Sequence, residues 1–159
     1  MDTSVRKKVL GMFPYGMFIC TTKAGDEIAA STVTWVTQSS FKPPLITVAI
    51  KVDTKIYDVL KAGGRFALHV IPVGEKKLAS KFFRPAAIED NRVNGVPFSL
   101  SEEYDLPILD STPAHLICDI RDVAETGDHH LFIAEVVHAE FRKDMKPLLL
   151  QDTGWRYSG

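Results

Sequence analysis

Along most of this chain hydrophobic and polar positions alternate with period two, and the spacing becomes helical in only three short places. Met17 to Thr22 predicts a strand, Lys23-Ala24-Gly25-Asp26 a turn, and Glu27 to Thr37 the returning arm of a hairpin. Leu45 to Ile50 is a continuous apolar run opened by Pro43-Pro44, the pattern of a strand buried on both faces. Phe66, Leu68 and Val70 alternate along a further strand. Leu116, Cys118 and Ile120 share one strand face with Asp119 and Arg121 on the other. After the turn Glu125-Thr126-Gly127-Asp128, Leu131 to Phe141 returns as a long strand.

The helical places are short. Thr3 or Ser4 caps a helix through Leu10 that Gly11 ends. Asp53 or Thr54 caps a second, whose Ile56, Val59 and Leu60 form an apolar stripe before Gly63-Gly64 stops it. Glu75 to Phe83 reads as a third, closed by Pro85, and Ala86 to Pro113 reads as loop with apolar anchors at Val96, Phe98 and Leu109. At least six strands joined by hairpins, with a few small helices, predict a mainly β protein. An antiparallel barrel with peripheral short helices is the closure that hides the sheet edges.

Composition narrows the partners. The 159 residues suffice for a real core, and no repeat or linker divides them, so a single domain over residues 1–159 is expected. A formal net charge of −1 gives no electrostatic reason to expect nucleic acid or an anionic membrane. No apolar run approaches the roughly 20 residues that span a bilayer, and Gly11, Pro14 and Gly16 break the start too often for a signal peptide. Cys20 and Cys118 sit inside apolar strands, as buried free thiols do, so a cytoplasmic, reducing setting is the default.

Candidate chemistry concentrates between Ser31 and Asp58. Thr32 and Thr34 lie on one face of the expected strand, and Ser39 and Ser40 follow. Hydroxyls bind phosphate oxygens and ring carbonyls without adding charge, although threonine also simply favours strands. Lys51 stands at a strand exit just before a helix start, where backbone N–H groups and a cation attract phosphate. Trp35 suits a core, a subunit contact or a ring ligand. His129 and His130 are adjacent on a strand, so they point apart and cannot ligate one metal together. No GxSxG, GxGxxG, Walker, CxxC or HxxxH spacing occurs, so a bound cofactor is the expected carrier of any chemistry and no metal is expected.

In this order and spacing the chain resembles the flavin reductase-like family. The resemblance rests on Ser31-Thr32-Val33-Thr34-Trp35-Val36-Thr37, Ser40-Phe41-Lys42-Pro43-Pro44-Leu45, Gly64-Arg65-Phe66-Ala67-Leu68-His69-Val70, Leu78 through Phe82, Gly127-Asp128-His129 and Lys146-Pro147-Leu148-Leu149. The Trp35-Val36-Thr37-Gln38 variant is most similar to the reductase modules of diflavin flavoproteins and of rubredoxin-fused reductases.

The resemblance implies a homodimeric FMN-binding split barrel holding FMN, or FAD, near the subunit contact. It implies NADH or NADPH as electron donor and free flavin or a partner protein (a monooxygenase, rubredoxin or flavoprotein) as acceptor. By position Thr32, Val33, Thr34 and Trp35 would meet the isoalloxazine and ribityl chain, and Ser39, Ser40, Ala49, Lys51 and Thr54 the phosphate. Phe82 and Arg84 would lie at the site's edge or on the partner subunit, His129 would place the nicotinamide, and Trp155 and Tyr157 would cover the flavin. Many bacterial members carry Ser-Ser-Phe where this chain has Thr34-Trp35-Val36, so Trp35 is expected to give backbone groups and bulk. The competing expectations are a flavoredoxin-type electron carrier reduced by a partner protein and, ranked lower, a binding protein similar to pyridoxamine-phosphate oxidases.

Overall fold

A computed structural model describes residues 1–158. Helix α1 (Thr3–Leu10) is capped one residue earlier than expected: the Asp2 carboxylate accepts from the backbone N–H groups of Ser4 (2.8 Å) and Val5 (3.3 Å). Strands β1 (Phe18–Ala24) and β2 (Glu27–Val33) form the predicted hairpin around Gly25-Asp26. The strand expected to run from Glu27 to Thr37 is instead broken at Thr34-Trp35, and β3 (Val36–Ser40) begins beyond the break. Strand β4 (Leu45–Lys51) and helix α2 (Lys55–Gly63) follow.

Thr54 caps α2, its hydroxyl accepting from Tyr57 N–H. Two glycines end the helix for different reasons. A Cβ on Gly63 would run into the Lys23 carbonyl, because the helix lies directly on β1 there. Gly64 takes the left-handed cap conformation at φ 71°, and its N–H closes on Leu60 O. The stripe Ile56, Val59 and Leu60 is buried, each side chain contributing on the order of 1.5–3 kcal/mol at most.

Strand β5 (Arg65–Val70), helix α3 (Lys76–Lys81) and the long pair β10 (Ala114–Ala124) and β11 (His129–Phe141) complete the main sheet. Between them lies a difference from expectation: residues 86–113 hold four short strands, β6 (Ile88–Glu89), β7 (Arg92–Val93), β8 (Val96–Leu100) and β9 (Pro107–Leu109). These form a second antiparallel sheet in chain order.

The main sheet has seven strands in the order β2-β1-β5-β10-β11-β4-β3, all antiparallel. Its two edge strands, β2 and β3, are neighbours in sequence, separated only by Thr34 and Trp35. Three residue steps span at most about 11 Å, so both edges of the sheet meet at this link. One face encloses a core of Val48, Phe66, Leu68 and Phe132 under α2. The other face packs Met17, Ile19 and Ile71 against Phe82 and Leu109.

Buried polar groups tie the two sheets together. The Thr21 hydroxyl donates to Pro107 O (2.6 Å), and His69 spans the seam. His69 Nδ1 lies 3.1 Å from Ile19 O, which can only accept, so Nδ1 carries the proton; Nε2 then accepts from Leu109 N–H (3.1 Å). Burial lowers the pKa of His69 to about 3, so the ring is neutral. Cys20 and Cys118 are buried free thiols, both pushed up by desolvation and therefore inert.

Candidate flavin-binding site

The link between the two sheet edges forms one wall of a cavity of about 440 Å³. Thr32, Val33, Thr34 and Trp35 line that wall, and Ala49 and Lys51 line another at the exit of β4. The Ala49 N–H donates to Trp35 O (3.0 Å), which pins the link to β4. Thr54 and Ile56 supply the start of α2. Phe82 and Phe83 enter from the end of α3, and Trp155, Arg156 and Tyr157 from the segment after a short 3₁₀ turn, Leu150–Thr153.

Polar groups divide sharply across this cavity. Thr32 is fully engaged by α3: its N–H donates to Phe82 O (3.2 Å) and its hydroxyl to Ala79 O (2.7 Å). Thr34 and Trp35 differ. The Thr34 hydroxyl and the Trp35 indole Nε1 are buried and have no hydrogen-bond partner among the described residues. A buried polar group left unpaired costs about 1–3 kcal/mol, so two of them on one cavity wall fit a missing polar ligand. The remaining unpaired buried group, His115 Nδ1, lies on β10 away from this cavity.

Charge points the same way. Among the described residues no carboxylate lines the cavity, whereas Lys51 and Arg156 do. The N–H groups of Lys55 and Ile56, in the first turn of α2, have no acceptor among the described residues, as geometry requires of a helix start. A cation beside a helix N-terminus suits a phosphate.

The far side is aromatic. Trp35 lies 4.6 Å from the His129 ring and 5.3 Å from Tyr157, centroid to centroid. His129 Nδ1 is 2.9 Å from Asp128 Oδ1, and Nε2 is 2.7 Å from the Tyr157 hydroxyl. Asp128 is held below its ordinary range, first by its hydrogen bond to His129, so it is an ionised acceptor. The Nδ1–H tautomer matches both contacts: Nδ1 donates to Asp128 and Nε2 accepts from Tyr157 O–H. Tyr157 is pushed up by burial and then by Asp128, which keeps its proton in place. His130 turns the other way, as adjacent strand residues must, and meets the Tyr57 hydroxyl (2.8 Å).

Three expected site residues lie outside this cavity. Ser39 is the extra residue of a bulge between Gln38 and Ser40, and both serines sit further along β3. Arg84 follows α3 on the exposed surface. Phe83, Arg156 and Leu150 line the cavity without having been anticipated. Phe83 is 58% exposed, and its place beside Phe82 after a helix was the only signal available.

Residues 10–159 match the flavin reductase like domain. The chain belongs to the flavin reductase-like family. It is 32% identical to the NADH-dependent FAD reductase of Streptomyces globisporus over 84% of this chain and 73% of that protein. It is 30% identical to diflavin flavoprotein A 1 of Synechocystis sp. over 86% of this chain but only 24% of that longer protein. The solved Streptomyces globisporus NADH:FAD oxidoreductase, in complex with NAD and FAD fragments, superposes with a TM-score of 0.79 at 30% identity. That match covers 98% of this chain and 91% of that one. The styrene monooxygenase flavin reductase of Pseudomonas putida superposes at 0.77 with 26% identity, covering 92% of each chain. Antiparallel sheets and few helices are thus the architecture this flavin reductase-like chain shares with its relatives.

Proposed function

We propose that this protein is a flavin reductase that takes reducing equivalents from NADH or NADPH into a flavin held in the cavity at the Thr34-Trp35 link. The observation that carries the reading is the pair of unpaired buried donors, Thr34 Oγ1 and Trp35 Nε1, in a cavity free of carboxylates among the described residues. A flavin ring presents carbonyl and ring-nitrogen acceptors that satisfy such donors, and its phosphate suits Lys51 and the first turn of α2. FMN fills these groups, and FAD adds an adenylate that extends past them. Ser39, Ser40 and Arg84, outside the cavity, carry no direct contact in this reading.

When bound, the flavin supplies the hydride-accepting ring and a store for two electrons. The chain's own part is positioning. Thr34 and Trp35 fix one edge of the ring, and Ala49 leaves room beside it at β4. Lys51 and the α2 N-terminus hold the phosphate end. Phe82 and Trp155 exclude water from the inner side. Asp128 fixes the tautomer of His129 so that Nε2 faces the cavity as an acceptor for the nicotinamide carboxamide. Ring alignment of this kind supplies acceleration without a protein acid or base.

The rest of the reading extends outward. One flavin-binding unit spans the chain as an FMN-binding split barrel, closed where β2 and β3 meet. It works as a homodimer, for which the exposed Phe83 at the cavity mouth and the 90% exposed Phe41 give apolar contact surface. The acceptor is free flavin or a partner enzyme; among the relatives, one is named as the flavin reductase of styrene monooxygenase. No helix among the described residues is long and apolar enough to cross a membrane.

An absorbance spectrum of purified protein with FMN, repeated after adding NADH and then NADPH, tests the reading. Bleaching of the flavin band at a rate set by protein concentration is the expected result. Absence of bleaching with both donors overturns it. Fast bleaching by a reduced ferredoxin alone would replace it with the flavoredoxin-type carrier.

A further inference from the structure

The ring nitrogen that the proposed flavin reductase would offer to the nicotinamide, His129 Nε2, is already bonded by a side chain of this protein. Tyr157 donates its O–H to His129 Nε2 (2.7 Å), the one free acceptor of the Asp128-oriented ring. Its ring stands edge-on to His129 at 80° and 5.8 Å and packs at 5.3 Å on Trp35. A nicotinamide offers the same two features: a flat ring for Trp35 and an N–H donor, its carboxamide, for Nε2.

The segment bearing Tyr157 is fixed at one end only. Thr153 and Leu150 are buried, the Lys76 ammonium bonds to Thr153 O, and it also lies 4.5 Å over the Trp155 ring. Phe83 packs edge-on against the same ring at 4.8 Å. Gly154, at φ 76°, turns the chain just before that anchor. Beyond Trp155, no backbone hydrogen bond holds residues 156–158 among the described residues. Tyr157 is 45% exposed, so its hydrogen bond to His129 and its stacking on Trp35 are what keep it in place.

We propose that Tyr157 is a latch that occupies the donor's place and must swing out, pivoting beyond Trp155, when the nicotinamide takes over its hydrogen bond to His129. This rests on the flavin reductase reading and makes Tyr157 a residue that sets donor affinity. The latch lowers the observed affinity by the fraction of molecules in which the subsite is open. It also keeps water away from the Trp35 face of the flavin until the donor arrives.

Equilibrium titration of FMN-loaded protein with oxidised NAD, which cannot reduce the flavin, reads the latch without turnover. Tyr157→Phe removes the hydrogen bond but keeps the ring, and Tyr157→Ala removes both. Because a neutral hydrogen bond is worth a modest net free energy, Phe should tighten NAD binding roughly two- to ten-fold and Ala at least as much. Thermal melting should be unchanged in both, since Tyr157 lies beyond the last anchored residue. Variants whose NAD affinity equals or falls below that of the wild type overturn the latch. So does a gain by Ala without one by Phe. A wild type that bleaches with NADH or NADPH while these ratios stay at one strikes the latch alone. A wild type that never bleaches strikes the flavin reductase reading and the latch with it.

Discussion

Buried polar side chains are treated oppositely at two places in this molecule. At the seam between the sheets, His69 has both ring nitrogens bonded and Thr21 donates to Pro107 O. At the link between the sheet edges, the Thr34 hydroxyl and the Trp35 indole have no partner. The seam is finished architecture: its polar groups hold β1, β5 and β9 together. The link is left unpaired in the chain alone, and in the proposed reading a flavin completes it. A buried histidine is therefore a weak guide to function here, and a buried unpaired threonine a strong one.

The contrast can be broken most forcefully at the seam. His69→Ala leaves Leu109 N–H without its acceptor beside a void. The expected loss is about 2–5 kcal/mol, seen as a melting temperature lower by on the order of 10 °C. Flavin affinity of the fraction that remains folded should be unchanged. A large loss of flavin affinity with normal melting would mean that the seam, too, belongs to the site.

The same histidine makes a pH prediction. Its pKa is about 3 when folded and near 6.5 when unfolded, so the unfolded chain binds the extra proton between those values. Its contribution is fully present above pH 6.5 and is lost as pH falls toward 3, with a slope of at most about 1.4 kcal/mol per pH unit. Urea unfolding at steps from pH 7 to pH 4 should show a shallower acid slope for His69→Gln than for wild type. Equal slopes would remove His69 from the account.

A smaller expected effect is electrostatic. Lys51→Ala should weaken FMN binding by roughly three- to ten-fold at low salt and by less at high salt, because the side chain is exposed and screened. Riboflavin, which lacks the phosphate, should bind both proteins equally. A matching loss for riboflavin would take Lys51 away from the phosphate.

Much of this was legible in the sequence, for reasons that differ by element. Strands β1, β2, β4, β5, β10 and β11 show as alternation or as an apolar run because one or both faces are buried, whereas the mostly exposed β3 reads as a continuation of β2. Strands β6 to β9 are invisible, since two to five residues cannot display a period. The break at Thr34-Trp35 was hidden because β-favouring residues continue through it from Val33 to Thr37, and only the pairing of β2 and β3 with different neighbours reveals it. Lys51, Thr54 and His129, expected from strand exits and turns that sequence marks well, line the cavity. Ser39 and Ser40 lie outside the cavity, at and beyond a bulge that shifts register without a compositional sign. Tyr157 reaches His129 across 28 residues of chain, a contact that no local pattern encodes.

The central claim is that the unpaired groups at the link exist for a flavin, and Thr34→Val tests it most directly. Valine keeps the shape and removes the hydroxyl. Titration of FMN by fluorescence quenching, with thermal melting of the free protein alongside, should give affinity weakened by roughly two- to ten-fold and a melting temperature equal to or above wild type. Undiminished FMN affinity together with a lowered melting temperature would contradict the claim, and would place the Thr34 hydroxyl in the architecture instead of the site.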